Sequence, residues 1–367
     1  MGNIHKLSRA VAAISLAAAA TTVNADEVRV YNWSDYIAPD TLEKFTERTG
    51  IDVTYDVFDS NEILDAALLS GRSGYDVVVP STYYLTRQMK ADVYQPLDHD
   101  KIPNLKHLNP ALMENLEAVD PGSEYSVPYM WGTNGIGYNV DRVKEILGED
   151  APVDSWALLF DPEITGQLSE AGCGLSMLDS GDEMLSPAMV YLGLDPTNES
   201  REDLEAAGEL LAKVRDDITY FHSSRYVSDL ANGDICVAAG YSGDIFQAAD
   251  RAEEAGRDFE IAYSIPKEGA ALWFDMMAIP ADAPNPDNAH AFINFILDPQ
   301  IAAEITEYVR YANPNAAADE YLSDEILNDP AIYPDTDVMD NLYVQVEKPQ
   351  DIQRARTRIW NRVKSGR

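Results

Sequence analysis

The sequence has few basic residues and only two cysteines. Its 367 residues contain 27 Lys+Arg against 63 Asp+Glu, a formal net charge of −36. Nucleic acids and anionic membrane surfaces are bound through basic patches, so this deficit excludes both as principal partners. The hydrophobic content of 46% is nevertheless that of a folded globule, and the length favours two domains over one.

Long apolar runs are absent as well. The short run 10–20 follows Lys6 and Arg9 and precedes Val23-Asn24-Ala25, a pattern typical of a secretory signal peptide. We expect cleavage after Ala25, which leaves 25 bases against 63 acids, a formal charge of −38. With no cysteine near the cut, no lipid anchor is expected, and the mature chain should be soluble and exported.

The two cysteines are Cys173 and Cys236. An even number in an exported chain predicts a disulfide between them. Structural zinc sites need more cysteine and histidine ligands at close spacing, so no metal site is predicted.

Enzyme and cofactor signatures are missing. The sequence contains no GxSxG, HExxH, P-loop or EF-hand pattern, and Gly132, Gly135 and Gly137 do not form GxGxxG. These motifs therefore give no support for catalysis, and dinucleotide binding has no local support.

Strand-like and helix-like segments alternate along the chain. Near the N-terminus the strand-like segments are 28–31, 51–55 and 75–79, with helix-like segments between them. This alternation predicts a doubly wound α/β lobe, in which ligands collect at the carboxyl ends of the strands. A second such lobe is predicted beyond residue 135, so the fold class is α/β with two lobes and a cleft between them.

An aromatic residue lies within a few positions of an acid at three predicted strand ends, in 33–36, 241–244 and 273–275. Aromatic faces attract ammonium groups by about 0.5–2 kcal/mol, and carboxylates accept their hydrogen bonds. Aromatic residues with carboxylates also bind sugars, and two carboxylates can hydrolyse a glycosidic bond. The pattern therefore predicts a cleft for a cation or a sugar, and a secreted glycosidase remains a third hypothesis.

An ordered set of segments resembles the polyamine-binding periplasmic proteins of bacterial ABC importers. The resemblance runs from about residue 27 to the C-terminus and is strongest to the putrescine- and spermidine-binding receptors. Its segments are 30–37, 75–81, 131–139, 232–238, 265–269 and 311–313.

The resemblance implies a type II periplasmic binding protein fold, in which two lobes close about a hinge. It divides the chain into an N-terminal lobe of 26–134 plus about 255–305 and a C-terminal lobe and tail of about 135–254 plus about 306–367. It also implies a monomeric periplasmic receptor, without catalysis and without a cofactor, that captures a polyamine and delivers it to the permease subunits of an ABC importer.

The resemblance further implies a set of ligand-binding residues. Asp244 and Asp275 are expected to hold one terminal ammonium, and Asp182 is an alternative to Glu183 at the other end. An indole at Trp273 is expected to favour a longer polyamine. The aromatic walls are Trp33, Tyr241, Trp273 and Tyr311, and the polar group around the second end is Ser34, Asp35, Tyr36, Ser81 and Glu183.

Overall fold

The structure, a computed structural model, describes residues 26–345 and 347–366. The predicted signal segment 1–25, with its cleavage after Ala25, lies outside the described residues. Within the described part of the chain, no helix has the length and apolar character needed to cross a membrane.

Short strands and helices alternate over most of the chain. The strands are β1 (Glu27–Trp33), β2 (Asp52–Phe58), β3 (Val77–Val78), β4 (Ser126–Asn139), β5 (Leu175–Met177), β6 (Tyr220–Phe221), β7 (Val237–Tyr241), β8 (Ile261–Ser264), β9 (Ala270–Ala278) and β10 (Leu342–Val344). The helices are α1 (Thr41–Thr49), α2 (Asn61–Leu69), α3 (Thr82–Met89), α4 (Pro110–Leu116), α5 (Val140–Leu147), α6 (Ala157–Phe160), α7 (Pro162–Glu170), α8 (Gly181–Tyr191), α9 (Arg201–Val214), α10 (Tyr226–Asn232), α11 (Ser242–Glu254), α12 (Pro286–Ile296), α13 (Pro299–Val309), α14 (Asp324–Leu327), α15 (Thr336–Met339) and α16 (Gln350–Ser365).

The first lobe, residues 27–133 and 270–344, contains a sheet in the order β2-β1-β3-β9-β4. Its first three strands are parallel, whereas β9 runs antiparallel to both β3 and β4. Val77 and Val79 pack into one apolar cluster and Val78 into another, so β3 is buried on both faces, as its continuous apolar run predicts.

The second lobe, residues 134–264 and 350–366, contains β7, β5 and β6 as parallel neighbours. The second half of β4 lies antiparallel between β7 and β8. One apolar cluster fills this lobe and includes residues of α16. The predicted disulfide is confirmed: Cys173 and Cys236 are bonded, with their Cα atoms 5.4 Å apart at the starts of β5 and β7.

The long strand β4 connects the two lobes. Ser126–Thr133 pair with β9 and Asn134–Asn139 pair with β7 and β8, so a single strand runs through both sheets. The chain returns to the first lobe between β8 and β9. It crosses to the second lobe again between β10 and α16, and α16 packs on α8 and α9.

The lobe boundaries differ from those expected near residues 255 and 306. The return crossover lies between Ser264 and Ala270, because β8 still pairs with β4 in the second sheet. Residues 306–332 pack in the first lobe, where Ile326 and Ile332 join an apolar cluster with Leu64. In the described chain, the C-terminal contribution to the second lobe is therefore α16.

Candidate functional site

The candidate site is a cavity between the lobes. The first lobe contributes side chains at or after the ends of β1, β2 and β3, on β9 and after α13. The second lobe contributes side chains at or after the ends of β6 and β7 and at the starts of α8 and α11. The cavity brings together all eleven residues expected from the sequence and three more: Trp33, Ser34, Asp35, Tyr36, Asp59, Ser81, Glu183, Ser223, Ser224, Tyr241, Asp244, Trp273, Asp275 and Tyr311.

Asp275 is the least exposed of the carboxylates that line the cavity, with an exposed fraction of 4%. Ser81 at the end of β3 donates its hydroxyl to Asp275 Oδ1 at 2.6 Å, and Asn61 Nδ2 donates to Ser81 Oγ at 3.0 Å. Burial raises the pKa of Asp275 to about 7, although the Ser81 hydrogen bond opposes the shift. Among the described residues it forms no salt bridge, so no basic side chain there compensates its negative charge.

Asp244 lies in the first turn of α11, which begins directly after β7. The hydroxyls of Tyr226 and Tyr311 donate to its two oxygens at 2.6 and 2.7 Å. Burial raises the pKa of Asp244 to about 6, and the two tyrosine hydrogen bonds limit the shift. These phenols fix the orientation of the carboxylate without neutralising it.

Glu183 lies in the first turn of α8, and Asn134 Nδ2 donates to its carboxylate. Burial raises the pKa of Glu183 to about 8, and the nearby Asp182, Glu62 and Asp275 add to the shift. The alternative residue Asp182 lines an adjoining pocket, which shares Glu183 with this cavity, rather than the cavity itself, and its carboxylate pairs with Arg356 at 2.8 Å. Geometry thus places Glu183 at the site.

Four aromatic rings surround the space between these carboxylates. The centroid of Tyr241 lies 6.4 Å from that of Trp33 and 6.0 Å from that of Trp273. Tyr311 meets Trp273 at 5.3 Å. Trp33 is fixed by its Nε1, which donates to the Val79 carbonyl at 2.9 Å. The rings present apolar surface and ring faces to any bound group.

The loop after β1 supplies three further polar side chains. Ser34 donates its hydroxyl to Asp59, and the buried Tyr36 hydroxyl lies close to the Asp275 carboxylate. Burial raises the pKa of Tyr36, and the Asp275 carboxylate raises it further. Asp35 has a positive φ of 53° and its carboxylate pairs with Arg251 of α11 at 2.8 Å. Asp35 therefore joins the two lobes, and its charge is already compensated.

The lobes are also in close contact around α11. Arg310, at the end of α13, pairs with Asp250 at 3.0 Å. A Cβ added to Gly243 would lie 2.5 Å from both the Tyr311 ring and the Val309 carbonyl oxygen, so only glycine allows this approach. These contacts describe a closed arrangement of the cleft.

Sequence reasoning missed Asp59, Ser223 and Ser224. Asp59 directly follows β2, and the two serines follow β6 within three residues. The signal that could have found them is their place at the carboxyl ends of strands. Phe58 beside Asp59 also shows the aromatic-and-acid pattern that marks the three segments identified above, whereas no acid accompanies Phe221 near the two serines.

The site combines three carboxylates that lack a basic partner in the described chain with an aromatic wall. Burial of a carboxylate is costly unless a cation or hydrogen-bond donors replace water. The arrangement is therefore suited to a small organic cation with an apolar middle. No cluster of three or more potential metal-ligating side chains occurs within residues 26–345 and 347–366.

Two α/β lobes that enclose a ligand cavity at their strand ends define a solute-binding receptor of the periplasmic type. The chain belongs to the bacterial extracellular solute-binding protein family, whose model matches residues 40–334. This family consists of binding proteins rather than enzymes, in agreement with the sequence-based expectation.

Among curated relatives, the putrescine-binding periplasmic protein SpuD of Pseudomonas aeruginosa (strain UCBPP-PA14) is 56% identical over 96% of each chain. The putrescine-binding periplasmic protein PotF of Escherichia coli (strain K12) is 48% identical over 98% of each chain. Among solved structures, a putative spermidine/putrescine ABC transporter protein from Listeria monocytogenes matches with a TM-score of 0.82 at 36% identity, over 93% of this chain and all of that chain. These likenesses confirm the predicted fold class and the resemblance to polyamine receptors.

Proposed function

We propose that this protein is a periplasmic receptor that captures putrescine, spermidine or both in the interlobe cleft. The observation that carries the proposal is the placement of Glu183, Asp244 and Asp275 around an aromatic wall, without basic partners among the described residues. A polyamine supplies ammonium groups for the carboxylates and methylene groups for the rings.

The ligand-binding role of the eleven residues predicted from sequence is part of this proposal. The relatives named for putrescine or spermidine binding support it, since they cover nearly the whole chain. Asp35 has a different role from that of the three uncompensated carboxylates, because its charge is paired with Arg251.

Delivery to the permease subunits of an ABC importer is the second part of the proposal. Closure of the cleft around a ligand presents both lobes in one fixed arrangement, which a permease can distinguish from the open form. The receptor acts as a monomer after export and cleavage behind Ala25. Mass spectrometry of the protein recovered from the periplasm tests the cleavage site.

Calorimetric titration of refolded, ligand-free protein tests the binding function. Putrescine, spermidine, cadaverine and agmatine are compared with maltose, a neutral sugar. We expect saturable binding of at least putrescine or spermidine and no heat with maltose. Binding of maltose without binding of any amine would replace the proposal with that of a sugar receptor.

A further inference from the structure

The C-terminal helix α16 is not explained by the ligand cavity. Its many basic residues suggest a solvated helix, yet it packs against α8 and α9 of the second lobe. Arg356 is only 2% exposed, which is rare for a charged side chain unless it is paired. The buried residues of the helix are Ala355, Arg356, Ile359, Trp360 and Val363.

The guanidinium of Arg356 binds the first turn of α8. Its Nε donates to Asp182 Oδ1 at 2.8 Å, and its Nη2 donates to Ser186 Oγ at 2.8 Å and to the Asp182 carbonyl at 3.2 Å. Its Nη1 donates to Glu199. A planar group with five donors satisfies all these acceptors at once, which a lysine ammonium cannot do.

Neighbouring residues hold the same turn. Gln353 Nε2 donates to Asp182 Oδ2 at 3.1 Å, and Gln345 Nε2 donates to the Asp182 carbonyl at 3.2 Å. A Cβ added to Gly181 would lie 2.9 Å from Trp360 Cβ, so the helices touch directly at this point. The C-terminal segment thus fixes the backbone at the start of α8.

Glu183 is the next residue in this turn, and its side chain faces the ligand cavity while that of Asp182 faces Arg356. Two adjacent acids of one helical turn therefore have different tasks. A shift of the turn would move the Glu183 carboxylate away from Asn134 and from a bound ammonium, and sites of this kind tolerate displacements of only about 0.5 Å.

We infer that Arg356 is a positioning residue, which sets the place of the Glu183 carboxylate in the polyamine site through its contacts with α8. The inference rests on the proposed function. Arg356 does not line the cavity, so it influences the ligand through Asp182 and the backbone of the helix.

Replacement of Arg356 by lysine tests the inference, because it keeps the charge and removes the forked contacts. Titration of Arg356→Lys with putrescine and spermidine should show about tenfold weaker binding, a typical effect of losing an outer-shell partner. Arg362→Lys is the matched control, since Arg362 lies on the same helix and pairs with the exposed Glu205. It should bind like the wild type.

A double-mutant cycle separates positioning from general destabilisation. In a Glu183→Gln background, adding Arg356→Lys should leave affinity unchanged, because the carboxylate through which Arg356 acts is gone. An equal loss in both backgrounds would overturn the inference. If Arg356→Lys does not fold, Asp182→Asn takes its place in the cycle. This replacement weakens the ion pair between Arg356 and Asp182 at the Asp182 side chain.

The pH dependence of affinity gives a second readout. Wild-type affinity should rise up to about pH 8 as Glu183 loses its proton, given its raised pKa. In Arg356→Lys this upper limb should be lost. The ionisable groups around Glu183 that shape the profile are Asp182, Glu62, Asp275, Tyr241 and Tyr343.

The outcomes distinguish the two proposals. A wild-type protein that binds no amine contradicts the proposed function and this inference with it. If the wild type binds amines and Arg356→Lys binds them equally tightly, only the positioning role is contradicted.

Discussion

At the residue scale, the candidate site contains three carboxylates that have no basic partner among residues 26–345 and 347–366. Asp275 accepts a hydroxyl hydrogen bond and Asp244 accepts two, so both are oriented but remain free to bind a cation. Aromatic rings and acids at strand ends were visible in the sequence. Their convergence was not, because Tyr311 and Asp244 are separated by 67 positions and meet only across the cleft.

We predict that Asp275→Asn abolishes most polyamine affinity. The amide keeps the shape and the acceptor for Ser81 but removes the charge that compensates a buried ammonium. The expected loss is about 3 kcal/mol, on the order of a hundredfold in Kd. Titration calorimetry measures it, with Asp287→Asn on the exposed surface as a control that should bind normally. Unchanged affinity in Asp275→Asn would show that the ammonium lies elsewhere.

The raised pKa values predict that pH affects stability and binding in opposite directions. Asp244, Asp275 and Glu183 titrate near 6, 7 and 8 in the folded ligand-free protein, above their ordinary values of 3.8 and 4.5. Between about pH 4 and pH 8, these three carboxyl groups bind more protons in the folded state than in the unfolded state. Stability of the ligand-free protein should therefore fall as pH rises from about 4 to 8.

Polyamine binding should strengthen over the upper part of that range, because ammonium groups bind the ionised carboxylates. Thermal unfolding and calorimetric titration between about pH 5 and pH 8.5 follow the two effects. Titration in buffers of different ionisation enthalpy should also reveal proton release on binding near neutral pH. A flat affinity profile with no proton release would rule out raised pKa values at the site.

At the element scale, strand ends and helix starts place the chemistry. The turn after β7 leads straight into α11, so Asp244 occurs in the first turn beside the helix N-terminus. The strand-like segments 28–31 and 51–55 predicted β1 and β2. The sequence did not predict that β4 and β9 run antiparallel to their neighbours in the sheet. Strand direction depends on the lobe from which the chain enters the sheet, and no local pattern shows this.

The disulfide is an element-scale constraint on the second lobe. It joins the starts of the neighbouring strands β5 and β7, and a sequence separation of 63 residues gives a chain-entropy stabilisation of about 4 kcal/mol. We predict a markedly lower urea midpoint for a variant with both Cys173 and Cys236 replaced by alanine. Reductant should lower the midpoint of the wild type only. Equal midpoints for the variant and the oxidised wild type would contradict a stabilising role.

At the scale of the whole molecule, the strong negative charge and the cleft are separate features. The cavity contains five of the 63 acids, so ligand binding does not account for the overall charge. A negative field nevertheless attracts cations over a distance that salt shortens, from about 10 Å at 0.1 M to about 3 Å at 1 M.

We predict that the association rate of a polyamine falls as salt rises, while its dissociation rate changes far less. Long-range attraction acts before contact, whereas the buried contacts of the closed state are poorly screened. Stopped-flow fluorescence of the site tryptophans measures both rates. A salt effect confined to dissociation would contradict electrostatic steering.

The sequence by itself determined the two α/β lobes, the cysteine pair and the residue types at the ligand cavity. These depend on local periodicity, cysteine number and the family resemblance, all of which are present in the order of residues. Only the tertiary structure decided where the chain passes between lobes, that Glu183 rather than Asp182 faces the cavity, and that Asp35 pairs with Arg251. These outcomes depend on contacts between residues far apart in the chain, such as Arg356 with Asp182, which no local pattern encodes.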